Sequence, residues 1–174
     1  IPFTGIRRVL EKALKIEKSG KSVIHFEIGQ PDFSTPEHIK QAAKDALDKG
    51  LVRYTSNYGL SSLRKEIAKK LKRVNGIDLD PDEEIIVTIG GQEAIAATLL
   101  SFLDPGDEVL IGDPGYIPYY SLTHLASAIP VPVPLKEDEG YIFDINAMKK
   151  AITNKTKMLI LNTPNNPTGA VLDK

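Results

Sequence analysis

The feature that most constrains this chain is a strand that runs directly into a proline-rich polar loop near its end. Lys157-Met158-Leu159-Ile160-Leu161 is apolar on both faces, the pattern of a parallel strand covered by helices rather than of a half-exposed antiparallel one. Asn162-Thr163-Pro164-Asn165-Asn166-Pro167-Thr168-Gly169 follows at once. It therefore occupies the carboxyl end of a core strand, the edge at which open α/β sheets bind ligands. Proline fixes φ and lacks a donor, so Pro164 and Pro167 keep this loop stiff and out of strand pairing. A stiff loop can aim Asn166 at a ligand; an ordinary Asn-Pro turn would use the same residues.

A parallel strand needs parallel neighbours, and the preceding sequence alternates helix and strand patterns. Ile6, Val9, Leu10, Ala13 and Leu14 predict a helix over 6–19 that stops at Gly20. Val23 to Ile28 reads as a short strand leading into the loop Gly29-Gln30-Pro31-Asp32-Phe33. Thr35 as N-cap with Pro36 in the first turn predicts a helix that buries Ile39, Ala42, Ala43, Ala46 and Leu47 before Gly50. Ser61 opens a further helix with the stripe Leu63, Ile67, Leu71 and Val74, its lysines and arginines forming a solvated face.

Glu84 to Ile89 reads as a β-branched strand, and Gln92 to Leu103 as a helix so uniformly apolar that burial is expected. Asp104-Pro105-Gly106-Asp107 is a turn, Glu108 to Ile111 a strand, and Ile117 to Ser127 a helix. Ile129 to Pro134 is extended, with prolines that suit an edge or irregular strand. Asp144 caps a short helix with Ile145, Met148 and Ile152 inward. The alternation predicts an α/β fold, doubly wound and largely parallel from about Leu51 onward.

Composition narrows the partners. With 174 residues and 41% hydrophobic content the chain can bury a core, and its net charge of -1 with no basic run argues against nucleic acid or an anionic membrane. No apolar stretch is long enough to span a bilayer. The absence of cysteine excludes disulfides and thiolate metal sites and fits a cytoplasmic location. His25, His38 and His124 are too scattered to suggest a metal site. The chain opens on Ile1 and closes near Leu172-Asp173, which reads as a helix cap, so it is expected to be part of a longer one.

The strand-turn-helix junction at Gly90-Gly91 is where a phosphate could sit. Glycine lets a ligand approach the backbone, and the N–H groups of Gly91 and Gln92, with the helix dipole, favour an anion. Neither the dinucleotide fingerprint nor the Gly-Lys-Ser/Thr ending of a triphosphate loop is present, which leaves one phosphate on another small cofactor. Tyr116, in the loop Pro114-Gly115-Tyr116, could lie over a flat ring or serve as a rim tyrosine.

Six stretches taken together resemble the class I aminotransferases of the aspartate aminotransferase type, which are fold type I pyridoxal-phosphate enzymes. They are Gly29 to Phe33, Tyr54 with Tyr58-Gly59, Val87 to Ala94, Asp104 to Asp107, Pro114 to Tyr116 and Asn162 to Gly169. The resemblance covers the family's amino-terminal half only. It implies a three-layer fold, a mainly parallel sheet flanked by helices. Residues 1–50 would form an amino-terminal arm and part of a small domain, and 51–174 an incomplete cofactor-binding large domain. It implies pyridoxal 5'-phosphate as cofactor, with an amino acid and a 2-oxo acid as substrates.

By the same resemblance, Gly91 and Gln92 would hold the phosphate, and Tyr116 would stack on the pyridine ring. Asn166 would donate to the ring's phenolic oxygen and touch the substrate carboxylate, against which Gly29 would also lie. Tyr54 would reach the phosphate of a neighbouring subunit in a homodimer. The Schiff-base lysine is expected beyond Lys174, so no catalytic residue is assigned in this segment, and alone it is expected to be inactive. An amino-acid lyase on the same scaffold, or a non-catalytic cofactor-binding module, would carry the same motifs.

Overall fold

In the computed structural model, residues 5–173 are described, and the first four residues of the expected arm and Lys174 lie outside them. The chain forms two compact units, one spanning Gly5–Thr88 and the other starting at Ile89.

The first unit is helical. Helix α1 (Gly5–Lys18) ends at Gly20, whose φ of +86° suits glycine. Helix α2 (Glu37–Asp48) starts one residue later than the cap chemistry predicts. The Pro36 carbonyl accepts from Ile39 N at 3.0 Å and Lys40 N at 3.2 Å, so Pro36 is itself the flanking cap and Thr35 lies outside the helix. The apolar face expected to be buried on α2 is exposed, Ile39 to 50%. Helix α3 (Ser61–Lys70) runs into a π-helical turn, Leu71–Asn75. Its basic face is not wholly solvated, because Arg64 is only 7% exposed. The guanidinium donates to the carbonyls of Pro81 (2.6 Å) and Asp82 (3.1 Å) and pairs with the Asp82 carboxylate at 3.2 Å.

Two expected strands do not form. Val23 to Ile28 is irregular, and Glu84 to Ile89 joins no sheet. The donors of the latter go elsewhere: Glu84 N to Asp80 O at 2.9 Å, Val87 N to Tyr58 O at 3.1 Å, and Ile89 N to the Glu93 carboxylate. A strand exists only through a neighbour that completes its ladder, and among the described residues these segments have none.

The second unit is the α/β part. Helix α4 (Gly91–Phe102) returns through the Asp104–Asp107 turn to strand β1 (Glu108–Asp113), and helix α5 (Pro118–Leu125) leads to β2 (Ile129–Lys136). The short β3 (Ile142–Phe143), helix α6 (Ile145–Ala151) and β4 (Thr156–Ile160) complete it. The sheet order is β3-β2-β1-β4, with β1 parallel to both β2 and β4 and β3 antiparallel to β2. Asp104 N and Asp107 Oδ2 (2.9 Å) and Asp107 N and Asp104 O (3.1 Å) close the turn, with Gly106 at φ +92°.

Strand β2 accommodates three prolines by parity. Ile129 N donates to Asp107 O on the β1 side at 2.8 Å, so alternate residues 131 and 133 also face β1. Pro130, Pro132 and Pro134 then turn their donorless nitrogens away from it, and β3 pairs only beyond them, at Leu135 and Lys136. The edge character read from the prolines holds for that stretch, while the strand as a whole is internal.

Val109 and Ile111 of β1 face Leu99 and Leu103 of α4 and Ala126 and Ala128 after α5, with Met158 and Ile160 packed alongside. Leu110 points to the other face. There Phe143 and Leu135 close over Gly112, where an added Cβ would come within 3.0 Å of the phenyl ring. The chain moves from β1 to β2 and back across β1 to β4, so right-handed crossovers place α5 and α6 on opposite faces, giving three layers. Helix α4 is covered on one side only: Leu99 is buried, whereas Leu100 and Phe102 are exposed, against the expectation of full burial. Among the described residues β4 pairs on one edge, and Leu159 and Leu161 remain exposed.

Candidate functional site

Three segments of the second unit meet at the carboxyl edge of its parallel strands. The loop 114–117 leaves β1 there, and the loop 161–173 leaves β4. Helix α4 joins the start of β1 through a four-residue turn, Asp104 to Asp107, so it runs antiparallel to β1 and its amino end lies at the same edge.

At the α4 end, Gly90 is the flanking residue, with φ +79° and ψ 167°. The main-chain N–H groups of Gly91 and Gln92 are exposed and have no partner among the described residues. A Cβ on Gly91 would meet nothing within 4 Å, so the space beside this residue is open. Glu93, the acidic residue of the first turn, spends a carboxylate oxygen on Ile89 N. Two free donors at the positive end of a 12-residue helix are suited to a phosphate.

Tyr116 is half-buried and meets Tyr119 edge to face, the ring centroids 5.3 Å apart at 81°. Burial, and then Tyr116, push the Tyr119 phenol above its ordinary value of 10.0, so it stays neutral at physiological pH. Burial followed by the Asp113 carboxylate does the same to Tyr120.

The loop after β4 is knitted internally. Asn165 N donates to Ala170 O at 2.8 Å and Gly169 N to Asn165 O at 2.7 Å. Asn166 is exposed, and its side chain has no hydrogen bond to another described residue. Its neighbour Asn165 is half-buried and donates to Pro114 O at 3.2 Å and to Thr168 Oγ1 at 2.9 Å. The sequence alone points to Asn166 and not to Asn165. In a run of two asparagines only the register of the folded loop tells which points inward.

Gly91, Gln92, Tyr116 and Asn166 therefore share one edge of one unit. Gly29 and Tyr54 belong to the first unit. Gly29 has no neighbour within 4 Å of an added Cβ, and Tyr54 is fully exposed in a loop pinned by Gly59 N to Ser56 O at 2.9 Å. The donor set on the second unit, two helix-end amides, an aromatic ring and a primary amide, fits a flat aromatic ring that carries a phosphate and a phenolic oxygen.

A helix-flanked, mainly parallel sheet with polar loops at the carboxyl edge of its strands places the chain among the open α/β folds, the class in which that edge is where ligands bind. The chain belongs to the class I and II aminotransferase family, whose model matches residues 21–174. It is 46% identical over 169 residues to an aromatic-amino-acid aminotransferase 2 of Thermococcus litoralis, covering 97% of this chain and 42% of that one. It is also 46% identical over 165 residues to an aspartate aminotransferase of Pyrococcus abyssi, covering 95% and 42%. The solved aspartate aminotransferase of Thermus thermophilus with maleate superposes with a TM-score of 0.93 at 38% identity, covering all of this chain and 45% of that one. The chain thus spans about 42% of the length of the curated relatives it matches. Among the described residues no helix is long and apolar enough to cross a membrane.

Proposed function

We propose that this chain is the cofactor-cradling part of a pyridoxal-5'-phosphate-dependent aminotransferase that moves an amino group between an amino acid and a 2-oxo acid. The observation that carries the reading is the convergence of Gly91 and Gln92, Tyr116 and Asn166 on one carboxyl edge. Bound pyridoxal phosphate would supply an electron sink for the pair left on the substrate's α-carbon. The chain's own part is to bind and orient. Gly91 and Gln92 would donate main-chain N–H groups to the phosphate, and Tyr116 would lie against the ring. Asn166 would donate to the phenolic oxygen, holding negative charge there, and would touch the substrate carboxylate.

Gly29 would lie beside that carboxylate, where a missing side chain leaves room, and Tyr54 would reach the phosphate of a second subunit in a homodimer. The full exposure of the Tyr54 side chain is consistent with a partner outside this chain. Residues 1–50 would act as an amino-terminal arm and part of the small domain, and 51–174 as part of the large domain. The Schiff-base lysine would lie beyond Lys174.

The test is spectral titration of the full-length protein with pyridoxal 5'-phosphate, followed by an amino acid. Saturable binding, and conversion of bound cofactor to its amine form with release of a 2-oxo acid, support the reading. The 1–174 segment should give no such conversion, and turnover by the segment alone would contradict the placement of the lysine.

A further inference from the structure

Asn165 and Asn166 are adjacent, yet the fold puts them in opposite circumstances. Asn166 is exposed, while Asn165 is half-buried and its amide nitrogen donates both to the loop after β1 and within its own loop. The Pro114 carbonyl can only accept, which fixes the amide nitrogen of Asn165 toward it and makes the 3.2 Å contact a donation from Nδ2. The same nitrogen reaches Thr168 Oγ1 at 2.9 Å. The other side-chain bonds of the β4 loop stay within it: Thr168 Oγ1 accepts from Ala170 N at 3.2 Å, and Thr163 Oγ1 from Leu172 N at 3.0 Å. Among the described residues, the hydrogen bond that ties this loop to the loop after β1 is the one from Asn165 to Pro114.

That bond sits between two groups with work to do. Tyr116 is two residues past Pro114, and Asn166 is the residue after Asn165. We propose that Asn165 is a positioning residue that sets the spacing between the ring platform and the donor to the ring's phenolic oxygen. This rests on the cofactor reading above. Asn165 itself touches neither cofactor nor substrate. Its role requires a donor at that point: an aspartate has the same shape but presents a carboxylate to the Pro114 carbonyl, which repels it and is left unpaired. A histidine at 165 places Nδ1–H at nearly the reach of Nδ2 and restores the bond.

The experiment uses the full-length protein in four forms: parent, Asn165→Asp, Asn165→His and Thr163→Val. Three quantities are read: the dissociation constant for pyridoxal 5'-phosphate, the pH at which the bound cofactor's visible absorption changes, and amide exchange across residues 115–117 in cofactor-free protein. Asn165→Asp should bind the cofactor roughly tenfold more weakly, move the absorption titration, and exchange faster across 115–117. Asn165→His should stay within about twofold of the parent, as expected when the hydrogen-bond donor is retained. Thr163→Val removes a bond inside the β4 loop only. It should lower the melting temperature while leaving the titration and the 115–117 exchange unmoved.

Parental binding, titration and exchange in Asn165→Asp would overturn the proposal, as would Asn165→His behaving like Asn165→Asp or Thr163→Val reproducing its effects. A parent that binds no pyridoxal phosphate overturns the cofactor reading and this proposal together. A parent that binds, with an indifferent Asn165→Asp, overturns only the latter.

Discussion

Gly59→Ala should destabilise the protein through both its backbone and its packing. Gly59 has φ +91°, and a Cβ there would lie 2.7 Å from Val87 Cβ and 2.8 Å from Val87 Cγ2. Two penalties add. An L-residue in the left-handed region costs about 1–2 kcal/mol, and forcing atoms into an occupied position typically costs about 1–3 kcal/mol. The total, about 2–5 kcal/mol, is a large part of the 5–15 kcal/mol that holds a typical domain together. The neighbour cannot swing aside, because the nearer atom is the Cβ of Val87 and its main-chain N is bonded to Tyr58 O at 3.1 Å.

The reference is Gly20→Ala, with a similar φ of +86° and nothing within 4 Å of the added Cβ. It should cost only the backbone share, about 1–2 kcal/mol. Denaturant unfolding of the full-length protein compares the two midpoints at constant m. Gly59→Ala should unfold at clearly lower denaturant than Gly20→Ala. It should also loosen the 53–59 loop that carries Tyr54, read by faster amide exchange there. Equal losses at the two sites would refute the argument from the Val87 contact.

Three further outcomes follow from other side chains. Arg64→Ala should destabilise by about 2–3 kcal/mol, since it strands the carbonyls of Pro81 and Asp82. Arg64→Lys should recover only part of this because one ammonium cannot reproduce the fork; equilibrium unfolding checks both, and a neutral Arg64→Ala would mean that the two carbonyls do not depend on the guanidinium. His25 bridges Glu27 at 2.5 Å and Glu17 at 3.0 Å, and these bonds, Glu27's first, hold its pKa above 6.5. The same contact with His25 holds Glu27 below 4.5. The histidine's contribution is complete below pH 6.5 and fades as pH rises through its raised pKa. The carboxylate's is present above pH 4.5 and fades as pH falls through its lowered one. The stability difference between parent and His25→Gln should therefore be greatest between pH 4.5 and 6.5 and shrink toward pH 9; a flat difference refutes it. Asp144→Ala removes the acceptor for Asn146 N (2.9 Å) and Ala147 N (3.1 Å) and should lower the melting temperature, the loss vanishing in acid as the parent's carboxyl is protonated.

What the sequence discloses about this fold is what neighbouring residues decide among themselves. Gly20, Gly50 and Gly106 mark ends and turns because only glycine takes their φ without strain, and Asp144 caps α6 as its position suggests. Strand β4 and the polar loop after it were legible from a change of pattern at residue 162. Glu84 to Ile89 misled for the opposite reason: β-branched residues mark a segment able to join a sheet, but pairing depends on a partner, and here Tyr58 takes the Val87 donor instead. Arg64 looked like surface charge, because nothing local announces that two carbonyls from residues 81 and 82 will receive it. That Gly90-Gly91, Tyr116 and Asn166 fall in loops after strand-like segments is legible from the sequence, while the roles proposed for them toward a cofactor come from the family resemblance alone. The bond from Asn165 to Pro114 spans 51 positions and becomes visible only once β1 and β4 lie side by side.

On the proposed function, the carboxyl edge of the second unit is a cradle for pyridoxal 5'-phosphate. A crystal structure of the full-length protein grown with that cofactor tests it most directly. The phosphate should lie on the N–H groups of Gly91 and Gln92, the ring against Tyr116, and the phenolic oxygen within hydrogen-bond distance of Asn166. A phosphate bound away from the start of α4, or a ring that touches neither Tyr116 nor Asn166, would contradict it.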